Sequence, residues 1–365
     1  MNMERRFDAV PLSEWGIFAG AGPYVISGPC SAESEEQTVE TARRLAAAGI
    51  QVFRAGIWKP RTHPGSFEGT GRQGLVWMQR ARSETGLKIS TEVAGARHVE
   101  ECIEHGIDMV WIGARTTANP FLVQEIADAL AGSDIPVLVK NPVSADIGLW
   151  TGALERLHAA GIRKIGVIHR GFSALGTGRY RNEPGWQIAV ELRTRFPYLP
   201  FFCDPSHMGG SREYLREISQ RSLDLGLDGL MIETHCNPSC ALSDACQQIT
   251  PEELKSLLAS LTVRQADSDN TEYRENIESL RSQIDVTDEN ILALLASRMR
   301  ISRRIGEYKR DNNIAILQTS RWDAVLENMI SKGKENGLPE QFVAAVFNAI
   351  HEFSVRIQNE TLEGK

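Results

Sequence analysis

The sequence predicts a (β/α)8 barrel followed by a small all-helical domain. Short apolar runs alternate with amphipathic segments from Tyr24 to about Ser260, and a long amphipathic stretch follows the polar segment Gln265 to Thr271. A chain of 365 residues is long enough for a barrel-sized domain and an appendage. We therefore predict a barrel domain over residues 1–262, a linker over 263–271 and a three-helix domain over 272–365.

The predicted strands are short and rich in β-branched residues. They run from Tyr24 to Ser27, Val52 to Ala55, Lys88 to Val93, Met109 to Gly113, Val137 to Lys140, Lys164 to His169, Phe201 to Asp204 and Gly229 to Glu233. The helical segments predicted between them include Glu35 to Ala48, Arg97 to His105, Phe121 to Ala131, Trp186 to Phe196 and Glu213 to Leu225.

Nearly every predicted strand ends beside a reactive or charged side chain. These side chains are Cys30, Arg54 with Lys59, Glu92, Arg115, Lys140, Arg170, Asp204 with His207, and Glu233 with His235. A closed barrel gathers its C-terminal strand ends around one site, whereas a doubly wound open sheet, the alternative fold, scatters them. The pattern therefore favours a barrel with one site at that end.

The segment from Arg54 to Thr62 is predicted to bind a small anion. Arg54, Lys59 and Arg61 follow an apolar run, so these cations lie where a strand ends and a loop begins. Phosphates and carboxylates suit such cations, while a solvated basic loop is the alternative. The formal net charge of −7 does not indicate nucleic-acid binding.

The remaining bulk features predict a cytoplasmic protein. The start of the chain lacks the pattern of a signal peptide, and no run reaches the roughly 18 apolar residues that span a bilayer. Six cysteines in such a chain indicate thiols or metal ligands rather than disulfides.

Four residues are candidate metal ligands: Cys30, His207, Glu233 and Asp244. A thiolate, an imidazole and two carboxylates suit a divalent transition metal. A buried thiol, a hydrogen-bonded core histidine and a helix cap are their ordinary structural interpretations. A competing zinc site would consist of His235, Cys236, Cys240 and Cys246. The spacing of that set lacks the close Cys-x-x-Cys pairs of structural zinc sites.

Several separated motifs then carry a family resemblance. They are Gly28-Pro29-Cys30-Ser31, Lys59-Pro60-Arg61-Thr62, Gly113-Ala114-Arg115, Asp204-Pro205-Ser206-His207, Ile232-Glu233-Thr234-His235 and Leu242-Ser243-Asp244. This stretch resembles the compact, metal-dependent 3-deoxy-D-arabino-heptulosonate 7-phosphate (DAHP) synthases. The resemblance implies condensation of phosphoenolpyruvate with erythrose 4-phosphate and water, the first step of the shikimate pathway. A sister family that makes octulosonate 8-phosphate is the alternative, although the Lys-Pro-Arg-Thr motif resembles the heptulosonate enzymes.

The resemblance also implies roles for individual residues. Phosphoenolpyruvate would be bound by Arg54, Lys59, Arg115, Lys140 and Arg170, and the aldose phosphate by Arg61 and Thr62. The implied cofactor is a divalent metal that polarises the aldehyde, with Mn²⁺ favoured and Fe²⁺, Co²⁺ or Zn²⁺ as alternatives. Lys59 and His207, together with Glu92, are the candidates for proton transfer.

The C-terminal part predicts a long helix and two shorter ones. Ile277, Leu280, Ile284, Ile291, Leu294, Ile301, Ile305 and Tyr308 keep a three-four spacing over a helix of roughly ten turns. The shorter helices are predicted at about Arg321 to Asn336 and about Glu340 to Glu360. Arg298 falls within the apolar stripe, where a guanidinium is costly without an anionic partner.

This tail resembles the all-helical chorismate mutases, whose intertwined dimers share an arginine across the interface. The resemblance implies that Arg298 and the partner's copy of Arg281 bind carboxylates of chorismate, and that Lys309 and Gln358 bind its ether oxygen. Arg321 and Ser354 complete the implied substrate-binding set. The partners implied are chorismate or prephenate and a second copy of the chain, in a homodimer or a larger homo-oligomer.

The tail departs from the family pattern at Gln318 and Trp322, where acidic residues are usual. The alternative function is a dimerisation and ligand-sensing module, and the simplest alternative is a coiled coil with solvated charges. Fusion of such a module to the barrel leads us to expect feedback inhibition of the synthase.

Overall fold

The computed structural model describes residues 7–20, 22–59, 67–173, 178–264, 268–316 and 319–363, with the backbone alone at 319–321. The predicted binding residues Arg61 and Thr62 and the departure at Gln318 lie outside these ranges, as does the side chain of Arg321. Contacts divide the chain into two compact units, Met1–Ala266 and Asp267–Lys365.

The first unit contains the predicted closed barrel. Its strands follow one another in sequence order, every neighbouring pair is parallel, and the first strand pairs with the last. The strands are β1 (Tyr24–Gly28), β2 (Val52–Arg54), β3 (Lys88–Val93), β4 (Met109–Ile112), β5 (Val137–Lys140), β6 (Ile165–His169), β7 (Phe201–Cys203) and β8 (Gly229–Glu233). The barrel prediction is therefore confirmed, and the open-sheet alternative is wrong.

Helices surround the barrel between the strands. They are α1 (Glu35–Ala47), α2 (Arg72–Thr85), α3 (Ala96–Glu104), α4 (Ala114–Thr117), α5 (Pro120–Leu130), α6 (Ile147–Ala159), α7 (Trp186–Arg195), α8 (Pro205–Gly209), α9 (Leu215–Asp224) and α10 (Pro251–Ala259). The helix predicted from Glu213 begins two residues later, because a 3-10 turn at Arg212–Tyr214 precedes α9.

The N-terminal segment packs against the barrel interior near the first residues of the strands. Leu12, Trp15 and Ile17 are buried in one cluster with Val52 and Met109, which begin β2 and β4. This segment covers the end of the barrel opposite the strand C-termini. The sequence left its position open, since a short apolar segment has no pairing partner that periodicity could reveal.

The second unit consists of α11 (Thr271–Asp311), α12 (Thr319–Glu335) and α13 (Glu340–Leu362). The side chain of Asn270 accepts a hydrogen bond from the Tyr273 amide and caps α11. At Gly306 of α11 an added Cβ would come within 3.1 Å of Gln358 Cα on α13, so glycine allows the two helices to approach closely. No helix among the described residues is long and apolar enough to cross a membrane.

Candidate active sites

Three of the predicted metal ligands converge at the C-terminal end of the barrel. The ligand atoms of Cys30, Glu233 and Asp244 all lie within 4.8 Å of one another. Glu233 ends β8, and Asp244 has a positive φ of 49°, an uncommon conformation that residues at functional sites adopt more often than others. A thiol and two carboxylates at this spacing fit a divalent transition metal.

His207 lies beside this group. Its Nε2 is 3.7 Å from Glu233 Oε1, and its Nδ1 is 2.8 Å from Asp204 Oδ2. A carboxylate behind an imidazole orients the ring and leaves the other nitrogen for a metal. Lys140 also contacts Asp204, with its Nζ 2.7 Å from the same Oδ2. The lysine and the histidine together hold the pKa of the buried Asp204 carboxyl well below its ordinary range, against the effect of burial.

The carboxylate of Glu233 keeps one oxygen available for a cation. Glu233 Oε1 is buried and accepts no hydrogen bond from the described residues, although the Arg54 guanidinium lies 3.2 Å away as an ion pair. Burial alone would raise the pKa of Glu233, but His207, Arg54 and Lys59 hold it below its ordinary value. The group is therefore ionised and suited to bind a metal.

Lys59, which belongs to the predicted anion-binding segment, contacts the candidate metal ligand Cys30. Its Nζ donates to Cys30 O at 2.8 Å and lies 2.9 Å from Cys30 Sγ. Burial and the Glu233 carboxylate raise the pKa of Cys30 to about 12, while the ammonium opposes that shift. Burial would lower the pKa of Lys59, but Cys30, Glu233 and Glu92 raise it above its ordinary value. Lys59 is thus a cation at neutral pH.

Two of the predicted phosphoenolpyruvate ligands, Arg54 and Lys140, lie over the ring of Trp111, an inward-facing residue of β4. The Arg54 guanidinium lies 4.8 Å and Lys140 Nζ 5.9 Å from the centre of its ring. The indole Nε1 donates to Glu92 Oε2 at 2.9 Å. Glu92 lies so close to Gly113 that an added Cβ would be 2.2 Å from its Oε1, so a side chain at position 113 would displace the Glu92 carboxylate.

Arg170 belongs to the same region. Its Nη1 donates to Asn182 Oδ1 at 2.7 Å, and its backbone amide donates to Asn141 Oδ1 at 2.7 Å. Burial lowers the pKa of Arg170 to about 10, which still leaves it charged at neutral pH, and Arg115 and Asp204 are among the charges it senses. The geometry therefore gathers five cations, namely Arg54, Lys59, Arg115, Lys140 and Arg170.

Sequence reasoning missed a layer of residues behind these side chains. Gln247 Nε2 donates to Glu233 Oε2 at 2.6 Å, and Arg181 Nη1 donates to Asp244 Oδ1 at 3.0 Å and to Gln247 Oε1 at 2.9 Å. Gln247 lies close to Asp244 in the chain, which is a weak signal. Arg181 lies in a loop without periodicity, so only the folded chain shows its role.

We predict that Gln247→Met weakens metal binding about tenfold to a hundredfold, because Glu233 loses the hydrogen bond that orients it. Substitution of a neutral side chain leaves the charge of the site unchanged. Titration of the metal-free protein with Mn²⁺ by calorimetry measures the effect. Gln124→Met on α5, whose amide contacts Asp128 and Arg156, is the matched control. An unchanged dissociation constant for the Gln247 variant contradicts this role.

The competing zinc site is not formed. Among the described residues, the group with metal-ligand spacing contains Cys30, Glu233 and Asp244 but no member of the alternative set. Cys240 and Cys246 are exposed, and His235 Nε2 instead faces Glu33 Oε2 at 3.5 Å. The hypothesis of a zinc site at His235, Cys236, Cys240 and Cys246 is therefore wrong.

His169 precedes Arg170 but lies among aromatic rings. Its ring centre is 5.3 Å from that of Trp186 and 5.6 Å from that of Phe172, and the residue is fully buried. Burial lowers the pKa of His169 to about 4, so the imidazole is neutral at physiological pH. A neutral imidazole among aromatic rings is part of the barrel wall rather than a group that binds substrate.

In the helical unit, two of the predicted mutase residues, Arg298 and Ser354, meet between α11 and α13. Arg298 Nη1 donates to Ser354 Oγ, and the half-buried guanidinium has a pKa lowered by burial. Gln358 lies one turn beyond Ser354 and is buried, with its Oε1 unpartnered among the described residues. Lys309 Nζ donates to Ile316 O at 2.5 Å and so connects the end of α11 to the segment before α12.

Arg281 lies apart from this group. It is exposed on the N-terminal half of α11, together with apolar side chains such as Leu280, Ile284 and Ile291. Within the described part of this chain, Arg281 therefore does not reach Arg298 or Ser354. One copy of the chain therefore provides only part of the implied chorismate-binding set, namely Arg298, Lys309, Ser354 and Gln358.

A parallel barrel with several cations and metal donors at its strand C-termini defines a (β/α)8 enzyme for small anionic substrates. The chain belongs to the DAHP synthetase I family, whose model matches residues 7–267. A second model, chorismate mutase type II, matches residues 280–359.

Individual relatives agree with the family match. A phospho-2-dehydro-3-deoxyheptonate aldolase from Thermotoga maritima is 34% identical over 238 residues, which cover 65% of this chain and 68% of the relative. A crystal structure of that aldolase (DAHP synthase) from the same organism gives a TM-score of 0.59 at 32% identity, covering 65% of this chain and 67% of the other. A 2-dehydro-3-deoxyphosphooctonate aldolase from Albidiferax ferrireducens is 27% identical over 274 residues, covering 69% and 94%.

The two matches define a bifunctional enzyme, a transferase and an isomerase. The barrel condenses phosphoenolpyruvate with erythrose 4-phosphate and water to give DAHP and phosphate, and the helical domain rearranges chorismate to prephenate. The octulosonate alternative is weaker, because the heptonate relative has the higher identity. Enzymes of the barrel family are generally metal-dependent.

Proposed function

We propose that Cys30, His207, Glu233 and Asp244 hold one divalent metal, with Mn²⁺ favoured and Fe²⁺, Co²⁺ or Zn²⁺ as the other options. The convergence of three donor atoms with His207 Nε2 beside them is the observation that carries this proposal. When bound, the metal supplies Lewis-acid polarisation of the erythrose 4-phosphate aldehyde. The proposed barrel domain spans residues 1–262, the linker 263–271 and the helical domain 272–365.

The cations of the barrel would bind phosphoenolpyruvate. Arg54, Lys59, Arg115, Lys140 and Arg170 supply the positive charge that a phosphate and a carboxylate require. Lys59 is charged and lies 2.9 Å from the Sγ of Cys30, so it would bind the substrate beside the proposed metal ligands. Arg61 and Thr62, which follow Lys59 in the chain, are assigned to the aldose phosphate from the motif alone.

When the methylene carbon of phosphoenolpyruvate bonds to the aldehyde carbon of erythrose 4-phosphate, the aldehyde oxygen takes up a proton. The water that adds to the second carbon gives up a proton, so side chains of the barrel would supply one proton and accept the other. His207 and Lys59 are the proposed catalytic groups, because both border the metal donors. Glu92 remains a further candidate, held by Trp111 within the same cavity. Water adds to the second carbon of phosphoenolpyruvate, and phosphate leaves from that carbon.

The choice of aldose tests the proposed reaction. We expect turnover of phosphoenolpyruvate with erythrose 4-phosphate and at least about a hundredfold lower kcat/KM with arabinose 5-phosphate. Phosphate release measured with each sugar, in the presence of Mn²⁺, gives the comparison. Turnover with the pentose alone would assign the barrel to the octulosonate reaction.

In the helical domain, Arg298 and the partner's copy of Arg281 would bind the carboxylates of chorismate, and Lys309 and Gln358 would bind its ether oxygen. Arg321 and Ser354 would complete the substrate-binding set. The reaction is unimolecular, so a site need only hold a compact conformer and stabilise developing negative charge. The contact between Arg298 and Ser354 supports this arrangement, since it fixes the guanidinium toward α13.

A second copy of the chain would complete this site. The exposed N-terminal half of α11 carries Arg281 next to Leu280 and Ile284, which leaves an apolar face without a partner in the described residues. Pairing of two copies through this face would bury these residues and bring Arg281 to the partner's Arg298. We accordingly propose a homodimer or a larger homo-oligomer in the cytoplasm.

Feedback by the mutase product is the proposed link between the two activities. Saturating prephenate is expected to lower the synthase rate severalfold, since a coupling energy of 1–3 kcal/mol is typical of allostery. Synthase assays with and without prephenate measure it, and the Arg298→Ala variant, with its carboxylate-binding group removed, is the control. A synthase rate that prephenate leaves unchanged at saturation of the helical domain contradicts the regulatory role.

A further inference from the structure

The face of α13 that carries Ser354 and Gln358 has a third polar side chain, His351. At about 100° per residue, positions three and seven apart lie on the same face of a helix. His351 is thus one turn before Ser354, whose Oγ receives the Arg298 hydrogen bond. The residue is partly buried, and neither ring nitrogen has a hydrogen-bond partner among the described side chains.

The His351 ring is held in place by a stack on α12. Its ring centre lies 3.8 Å from that of Trp322 with an angle of 13° between the planes. Trp322 is one of the two positions at which the tail departs from the mutase pattern. A stacked ring loses rotational freedom, so the imidazole is preorganised at the edge of the cluster formed by Arg298, Ser354 and Gln358.

The charge state of His351 restricts what it can bind. Burial, with a further contribution from the Arg298 guanidinium, lowers the pKa of His351 below its ordinary value. A neutral imidazole offers one donor and one acceptor and no net charge. Carboxylates are better matched by arginine, whereas a hydroxyl group can both donate to and accept from such a ring.

We propose that His351, positioned by Trp322, contacts the ring hydroxyl of chorismate. This assignment rests on the proposed mutase function, and His351 would be the hydrogen-bonding partner of the substrate hydroxyl. Chorismate has two carboxylates, an ether oxygen and one hydroxyl, and the first three are already matched to arginine, lysine and glutamine side chains. The Ser354 hydroxyl already accepts from Arg298 and donates to Ile350 O, so His351 is the polar side chain of this cluster that can serve the hydroxyl of chorismate.

The variant His351→Phe tests the contact, because phenylalanine keeps the stack on Trp322 and removes both nitrogens. We expect kcat/KM for chorismate to fall about tenfold, the loss that one hydrogen bond commonly produces. With an analogue that carries hydrogen in place of the ring hydroxyl, wild type and variant should react at equal rates. His351→Asn should recover part of the loss, and Glu352→Gln, an exposed neighbour, is the matched control.

Equal losses with both substrates would show a structural effect only and overturn the proposal, as would an unchanged rate with chorismate. If the wild-type chain fails to convert chorismate, the mutase function itself is refuted, and calorimetric binding of prephenate, which keeps the hydroxyl, decides the contact. About tenfold weaker prephenate binding by His351→Phe supports the contact in that case. An unchanged dissociation constant overturns it.

Discussion

Excess chelator is expected to lower the DAHP synthase rate by about a thousandfold and to leave chorismate consumption unchanged. Lewis-acid polarisation of a carbonyl is worth several kcal/mol, and each 1.36 kcal/mol corresponds to about tenfold in rate. The proposed donors Cys30, Glu233 and Asp244 all lie in the barrel unit. The rearrangement of chorismate requires no metal, so the two activities separate.

Both rates are measured on the same full-length preparation before and after chelation, and again after addition of Mn²⁺, which should restore the synthase. Cys30→Ala should behave like the chelated protein even with Mn²⁺ present. Cys102→Ala, which replaces another fully buried thiol on α3, is the matched control. A synthase that keeps its rate in excess chelator refutes the metal role.

Removal of the Lys309 side chain is expected to lower the mutase rate about a hundredfold to a thousandfold, while the synthase rate without prephenate stays the same. Loss of one donor that stabilises charge in a transition state has this size of effect. Lys309 is anchored by Ile316 O, so its ammonium has a defined position at the end of α11. The ammonium group is therefore held in position before the substrate binds.

Chorismate consumption by Lys309→Ala and by the wild type gives the comparison. Lys332→Ala on the exposed surface of α12 is the matched control. Because Lys309 also donates to the backbone, the thermal unfolding of each variant is recorded, and Lys309→Met preserves the packing of the aliphatic stem. Equal mutase rates in the wild type and both Lys309 variants would remove this residue from the catalytic set.

In the helical domain, the structure supports the assignment of Arg298, Ser354 and Gln358 more directly than that of Arg281. Arg298 and Ser354 touch, and Gln358 follows on the same face of α13, so the chain itself assembles half of a site. Arg281 is on an exposed face, and its role depends on a second copy. The assay of the Lys309 variants therefore tests whether this domain catalyses the rearrangement. A measurement of the oligomeric state tests whether a second copy of the chain can supply Arg281.

Most of the barrel site was predictable from the sequence because of a property of parallel barrels. Period-two and apolar runs mark strands, strands and helices alternate, and each C-terminal strand end faces the same opening. Side chains that directly follow the apolar runs in the sequence are therefore expected to be neighbours in the folded barrel. Cys30 follows the first strand and Glu233 ends the last, and their ligand atoms lie within 4.8 Å of each other.

The amino-acid sequence by itself determined the barrel, the helical tail and the side chains that meet at the strand ends, because these follow from local periodicity and chain direction. Tertiary structure alone decided which groups support them: Gln247 behind Glu233, Arg181 behind Asp244 and Trp322 against His351. These contacts join loops and separate helices whose side-chain directions depend on packing. No spacing rule along the chain specifies such pairs, so only the folded molecule shows them.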